Sequence, residues 1–335
     1  MAGLTLGLRL PAGRPRRPRR ATGGGWSYTA RRLLGAVLVL IGVTVATFLL
    51  LHAAPGNPAE QVLGQRATPA QLHALEHQWG LDSSLASQFW RYLKQVVHGD
   101  LGTSFVYGKH VTALVGPRIG QTALLVAVAV MFAILITIPL AALAASRRDS
   151  IADQAVRGFS VLGLGLPSFW FGIVLIEIFA VNLKLLPVGG YGSGFGAHLE
   201  SLILPGVTAA LAIVPLLIRS LRVGMLEVLD ADFVAAARGN GLRESRVLLV
   251  HVARNAAVPT VTLLGLNIAY LLGSTVIVEN VFALNGVGSL LLQSIQNRDF
   301  PTVQGITLLL AAAVVVVNLC TDLLAARLDP RIRLR

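Results

Sequence analysis

Charge is what this chain has least of: 13% of its 335 residues are Asp, Glu, Lys or Arg, about half the roughly 25% of a soluble domain. With 54% hydrophobic residues and a mean hydropathy of +0.70, the composition excludes an ordinary soluble enzyme and requires an integral membrane protein. Cysteine is almost absent. The single Cys320 lies in an apolar run and can form no internal disulfide, so no oxidised framework supports the loops. Catalytic motifs are missing as well. No G-x-x-x-x-G-K-[ST] loop occurs: Gly108-Lys109 is followed by His110, and Thr103 stands five residues before Gly108. Without that phosphate cradle the chain cannot bind and hydrolyse ATP by this route. There is no G-x-S-x-G elbow, C-x-x-C pair or dinucleotide fingerprint either, so no catalytic residue is assigned.

Acidic residues are outnumbered by basic ones, 16 to 28, but the distribution excludes nucleic acid as a partner. Eight Lys and Arg precede residue 33, including those of "RPRRPRR" (14–20), and most others flank apolar runs. Basic residues in those places set topology and touch lipid headgroups. A bilayer core about 30 Å thick needs roughly 20 apolar residues per helix. Six windows qualify, at about 33–53, 119–145, 157–182, 201–222, 258–280 and 303–325. The N-terminal tail, 146–157, 219–254 and the stretch after 326 carry eight, three, six and four Lys or Arg. The alternate segments, 54–118, 183–200 and 281–300, carry five, one and one. The positive-inside rule therefore predicts both termini in the cytoplasm of a multi-pass protein of the bacterial inner membrane. The first run exceeds the 7–15 residues of a signal core and is expected to stay uncleaved. Residues 1–32 form a basic tail with little to bury, expected to be disordered, ahead of a transmembrane domain over 33–335.

Two hydrophilic segments interrupt the apolar pattern. The extracytoplasmic insertion, 54–118, contains "TPAQLHALEHQWG" (68–80), with Thr68 as N-cap, Pro69 at the first helical position, Gln71 completing a capping box and Gly80 at the end. A second helix is predicted at about 84–97, where Leu85, Phe89, Tyr92, Leu93 and Val96 recur at helical spacing. The insertion reads as a lid over its own helices or as a dock for an external partner, with Trp79, Phe89, Trp90 and Tyr92 as the candidate contacts. His73, Glu76 and His77 make an H-x-x-E-H string, but a third ligand is lacking and no metal site is assigned.

The cytoplasmic segment, 223–257, contains "DFVAAARGNGLRESR" (232–246). Phe233, Ala236 and Ala237 are predicted on one face of a short helix that stops at Gly239-Asn240-Gly241, a turn signal. A second helix is predicted to restart at Leu242 with Arg243 and Glu244 exposed. The product is an elbow whose small side chains permit close approach by another protein. Within the spans the polar residues are Glu177, Asn267, Glu279, Asn318 and Asp322, with Arg219 and Arg222 near enough to an end to snorkel. They form no Asp/His relay, and no internal repeat of the kind built into secondary carriers is visible.

The elbow resembles the cytoplasmic loop of ATP-binding-cassette importer permeases, E-A-A-x-x-x-G, with Ala236, Ala237 and Gly241 at the A, A and G positions and Ala235 in place of Glu. Where that loop continues into I-x-L-P, this chain has "HVARNAAVP" (251–259), as the B-type subunit of the dipeptide/oligopeptide/nickel permeases does. "PGNPA" (55–59), "GLD" (80–82), "GDLGTS" (99–104), "LPVGGY" (186–191) and "VENVFALNGVGSLLLQSIQNRDFPTVQG" (278–305) extend the likeness over nearly all of the chain after residue 32. The resemblance implies an all-α type I importer fold with six spans. It implies as partners a homologous second permease, two ATPase subunits that hold ATP and Mg, and an extracytoplasmic solute-binding protein. It makes Phe233, Ala235, Ala236, Ala237, Gly239, Asn240, Gly241, Leu242, Arg243 and Glu244 the ATPase-coupling elements. Glu279, Asn280, Asn285, Arg298 and Asp299 then become candidates for lining or gating the pathway, with structural ion pairing as the alternative reading. Peptides are the expected cargo; nickel chelates or haem-type ligands are the alternative within the family, and a secondary carrier lies outside it.

Overall fold

The computed structural model describes residues 24–64 and 66–328, so residues 1–23 of the basic tail lie outside the described residues. Among the described residues every regular element is helical, as a bilayer demands of segments that must satisfy their own backbone groups. Helix α1 (Gly24–Ala53) begins inside the stretch assigned to the tail and carries the first apolar run. Three short helices form the insertion: α2 (Pro58–Leu63), α3 (Pro69–Trp79) and α4 (Leu85–Val97). The capping box on α3 is present: Thr68 N donates to Gln71 Oε1 at 2.9 Å and Gln71 N to Thr68 Oγ1 at 3.3 Å.

Helix α5 (Val111–Ser146) is the central pillar, packed against α8 (Phe195–Leu211) and α9 (Val214–Leu229). Between them run α6 (Ile151–Gly165) and α7 (Ser168–Leu175), the latter continued by π-helical turns over Ile176–Asn182. The elbow comprises α10 (Asp232–Gly239) and α11 (Glu244–Arg246). Helix α11 passes through π-turns at Val247–Val252 into α12 (Ala253–Val281). Helix α13 (Val287–Gln296) and the final α14 (Phe300–Leu328) complete the chain.

Among the described residues four helices are long and apolar enough to cross a membrane: Arg32–Ala53, Val111–Ser146, Glu244–Val281 and Phe300–Leu323. The third and fourth apolar windows are broken. The α6–α7 pair bends by 109° and the α8–α9 pair by 59°, and counting each as one span gives six. Proline explains both breaks: Pro167 precedes α7 and Pro215 opens α9, where a missing N–H and a fixed φ favour a fresh helix start.

The main core gathers Leu125, Ala129, Leu202, Ile213, Leu217 and Phe282 from α5, α8, α9 and the end of α12. Only 11% of the spanning window of α1 is buried, because within the membrane stretch α1 packs chiefly on α14, and Arg32 forms an ion pair with Asp322 between those two helices. Exposed leucines and valines on the other faces of α1 belong against lipid or a partner subunit rather than water.

Candidate functional site

The elbow is built around one anchor. Val234 is fully buried in a cluster with Ala141 and Ala145 of α5, Leu221 and Met225 of α9, and Val247, Val252 and Ala253. Its neighbours on α10, Phe233, Ala235 and Ala236, are exposed. Ala237 is half-buried against the anchor cluster. The predicted common face therefore divides: Phe233 and Ala236 look outward and Ala237 inward, because 100° per residue puts Ala237 on the side of Val234, three positions before it.

Gly239 and Asn240 close α10, and Gly241 adopts φ +75°, a left-handed conformation that favours glycine over any β-carbon residue. The second arm starts later than predicted. Leu242 folds inward onto the anchor cluster, Arg243 is the N-cap, and helix resumes at Glu244. Glu244 is paired inside the chain, accepting from Arg238 Nε at 3.1 Å and Nη2 at 2.7 Å across the turn. That leaves Arg243 and Arg246 as exposed cations beside the turn.

A buried ion pair braces the same end of the molecule. Asp153, with no exposed surface, accepts from Arg222 Nε at 2.7 Å and Nη2 at 2.6 Å. The side chain of Arg222 does not snorkel; its bidentate fork ties α9 to the start of α6. Asp149 N donates to the same carboxylate at 3.0 Å.

At the opposite end two carboxylates organise the connection from α12 to α14. Glu279 is fully buried and accepts from Thr122 Oγ1 of α5 at 2.6 Å and from Ser289 N of α13 at 2.9 Å. Thr122 Oγ1 accepts in turn from Val287 N at 2.9 Å. A β-carbon on Gly286 would collide with the Glu279 carboxylate, so the turn needs glycine there. Asp299, also fully buried, accepts from Ser104 Oγ at 2.5 Å, Phe105 N at 2.9 Å and Thr302 Oγ1 at 2.7 Å. It thereby pins the insertion to the head of α14. Arg298 lies with its guanidinium over Gly56. Asn280 and Asn285 are exposed. Gly190 of "LPVGGY" donates its N–H to Phe282 O at 2.9 Å, which brings the loop after the third window onto the same turn.

The insertion turns most of its aromatic side chains inward. Trp79 stacks on Phe105 with centroids 4.1 Å apart, and Phe89 meets Phe48 of α1 edge-on at 5.2 Å. Tyr92 is buried, whereas Trp90 is 68% exposed. The His73 and His77 side chains point to solvent, and Glu76 is engaged by Asn57 Nδ2 at 2.5 Å.

Sequence reasoning missed Thr122, Ser104 and Asp153. Thr122 carried no signal, since a single hydroxyl in an apolar run is common, and Ser104 stood in "GDLGTS" (99–104) with nothing to mark Asp299 as its partner. Asp153 had one, the Ser150-x-x-Asp153 spacing of a helix cap, and Ser150 Oγ does accept from Asp153 N at 3.3 Å.

Comparison with known proteins places this architecture. Residues 137–334 match the family model of the binding-protein-dependent transport system inner membrane component, and residues 26–126 match the N-terminal model of the same membrane components. The oligopeptide transport system permease protein AppB of Bacillus subtilis is 36% identical over 312 residues, 91% of this chain and 99% of that protein. The probable D,D-dipeptide transport system permease protein DdpB of Escherichia coli is 37% identical over 331 residues, 92% and 97% of the two chains. The glutathione transport system permease protein GsiC of Pectobacterium atrosepticum is 36% identical over 307 residues, 92% and 99%. Among solved structures, a chain of the MetNI methionine ABC transporter in an inward-facing form superposes with a TM-score of 0.51 at 16% identity. The superposition covers 64% of this chain and 96% of that one, and it speaks for the fold. An all-helical bundle with paired broken helices, matched along nearly its whole length, is accounted for in one way: the chain belongs to the family of binding-protein-dependent transport system inner membrane components, the multi-pass permease subunits of ABC importers.

Proposed function

We propose that this chain is the B-type permease subunit of an ATP-driven peptide importer, with both termini in the cytoplasm. The observation that carries the cargo is the agreement of the relatives. Permeases named for oligopeptide, D,D-dipeptide and glutathione transport each align with more than nine-tenths of the chain, and all three cargoes are peptides.

In this reading the chain pairs with a homologous second permease, and an extracytoplasmic solute-binding protein delivers cargo from above. Two ATPase subunits below hold the ATP and Mg; this chain makes and breaks no bonds. The elbow seats in one ATPase through the outward face of Phe233, Ala235 and Ala236, where small side chains allow close approach. Gly239, Asn240 and Gly241 set its angle, Leu242 and Ala237 hold it to the bundle, and Arg243 supplies charge. Glu244 acts within the elbow through Arg238. Closure of the ATPases moves the elbow, and the permease pair converts between inward- and outward-facing states by differential binding. At the outer end the exposed Asn280 and Asn285 border the pathway, while Glu279 and Asp299 hold the backbone that carries them, with Arg298 beside it. Trp90 is the insertion residue offered to the binding protein.

Reconstitution tests the proposal. Vesicles containing the assembled complex should take up a radiolabelled dipeptide only with ATP and binding protein present. Gly241→Val should abolish uptake while leaving membrane insertion intact. ATP-independent uptake by this chain alone would make it a secondary carrier and overturn the reading.

A further inference from the structure

The Asp153–Arg222 pair sits where three elements meet. Leu221 and Met225, on the last turns of α9, pack into the anchor cluster around Val234 of the elbow. Arg222, between them in sequence, turns the other way and closes its fork on Asp153 of α6, with Nε at 2.7 Å and Nη2 at 2.6 Å. One stretch of α9 therefore grips the elbow on one side and α6 on the other. The Asp153 side chain is 0% exposed and that of Arg222 15%. Other groups add to the hold on the carboxylate: Asp149 N donates at 3.0 Å and Arg157 Nε stands 3.6 Å away. An apolar contact would let two helices slide and turn on each other. Two parallel N–H···O bonds to a buried carboxylate fix register and rotation together.

Farther along, α6 touches α9 again. A β-carbon on Gly163 would come within 2.7 Å of Pro215 Cγ, so the two helices meet there with no room for a side chain. Beyond the 109° bend, α7 lies against the outer hairpin: a β-carbon on Gly172 would stand 3.2 Å from both Phe282 Cε2 and Val281 Cγ1. The α6–α7 pair is thus a bent crank, with its lower arm fixed to α9 at two points and its upper arm resting on Phe282. Adjacency alone couples nothing; a rigid element that both ends move does. Among the described residues, the polar and directional joint between α6 and α9 is Asp153–Arg222.

We propose that Asp153 and Arg222 are positioning residues for transport: the pair makes α6 and α7 follow the elbow, so that movement of the elbow reaches the outer hairpin. This rests on the elbow being the seat of an ATPase, as proposed above. The test replaces both members by apolar residues, Asp153→Leu with Arg222→Met, because such an exchange of a buried ion pair is often neutral or stabilising. In the reconstituted complex the double variant should assemble, melt no lower than the parent and keep hydrolysing ATP, while dipeptide taken up per ATP falls about tenfold, within the range of coupling between sites. Arg222→Lys, which keeps the charge and loses the fork, should fall between the two, and it serves as the test if the double variant does not assemble. Unchanged uptake per ATP overturns the proposal. So does a parallel loss of melting temperature, hydrolysis and uptake, the mark of a merely structural pair. The joint is also read directly with spin labels at Ile151→Cys on α6 and Asp232→Cys at the start of α10, both exposed positions, after Cys320→Ser. Their distance should stay constant between nucleotide-free and ATP-trapped complex in the parent and should spread in the double variant; equal distributions in parent and variant overturn the proposal. A parent complex that hydrolyses ATP without taking up peptide strikes the transport reading, and the label distances still decide this one.

Discussion

The outer hairpin and the cytoplasmic elbow are held by different means. The outer end is knitted by buried carboxylates: Glu279 joins α5, α12 and α13, and Asp299 joins the insertion to α14, each accepting neutral donors at full burial. The elbow is a short helix held by the fully buried Val234 with the half-buried Ala237 and Leu242, and a surface ion pair bridges its turn. Buried networks lock one arrangement because every donor removed is left unsatisfied. A short helix held on one apolar face keeps its outward surface open. The comparison teaches that the outer hairpin carries its partners within the chain, whereas the elbow leaves an outward face of Phe233, Ala235 and Ala236 open, as the proposed ATPase coupling requires.

Substitutions break this contrast to different degrees. Val234→Asp should have the largest effect: a charge in the anchor cluster frees the elbow, and ATPase association measured by co-purification should fall well beyond tenfold, or about 1.4 kcal/mol. Glu279→Ala leaves buried N–H groups without an acceptor and opens a void, worth about 2–4 kcal/mol. The melting temperature of the purified complex should drop, and Glu279→Gln should restore part of it. Asp299→Ala should cost about 1–3 kcal/mol and expose residues 99–110 to limited proteolysis while ATPase association holds. Trp90→Ala should weaken binding-protein affinity by about tenfold without lowering the melting temperature, as for an exposed aromatic anchor. Tyr92→Ala should instead loosen the insertion. Arg238→Ala should change stability by no more than about 0.5 kcal/mol, since exposed ion pairs contribute little; a large loss there would mean that the elbow is rigid after all.

Local features were legible before the fold was known. Thr68 and Gln71 form the capping box their spacing predicts, and Gly241 takes the left-handed conformation its Asn-Gly turn requires. Hydropathy found the apolar windows because lipid selects for them, but it carries no direction, so the 109° bend at Pro167 was invisible to it. The inward aromatics were half legible. The helical spacing of Leu85, Phe89, Tyr92, Leu93 and Val96 marks one face and leaves Trp90 off it, although Leu85 at its start is exposed, yet aromatic character alone had grouped all four candidates. Pairings such as Asp153 with Arg222 and Glu279 with Thr122 join residues 69 and 157 positions apart. No local rule of period or capping reaches that far, because tertiary packing alone decides which polar groups meet.

The helix that leaves the elbow at Glu244 runs to Val281, two residues past the carboxylate that organises the outer hairpin. Its 38 residues span about 57 Å at 1.5 Å each, the full depth of a membrane with its headgroups. Such a length is a lever arm: a tilt of about 5° about one end carries the other through about 5 Å, close to one helical turn. The π-turns at Val247–Val252 put the compliant section at the elbow end, where force would enter. In the proposed coupling, a small push at the elbow would be geared into a larger stroke at the outer hairpin.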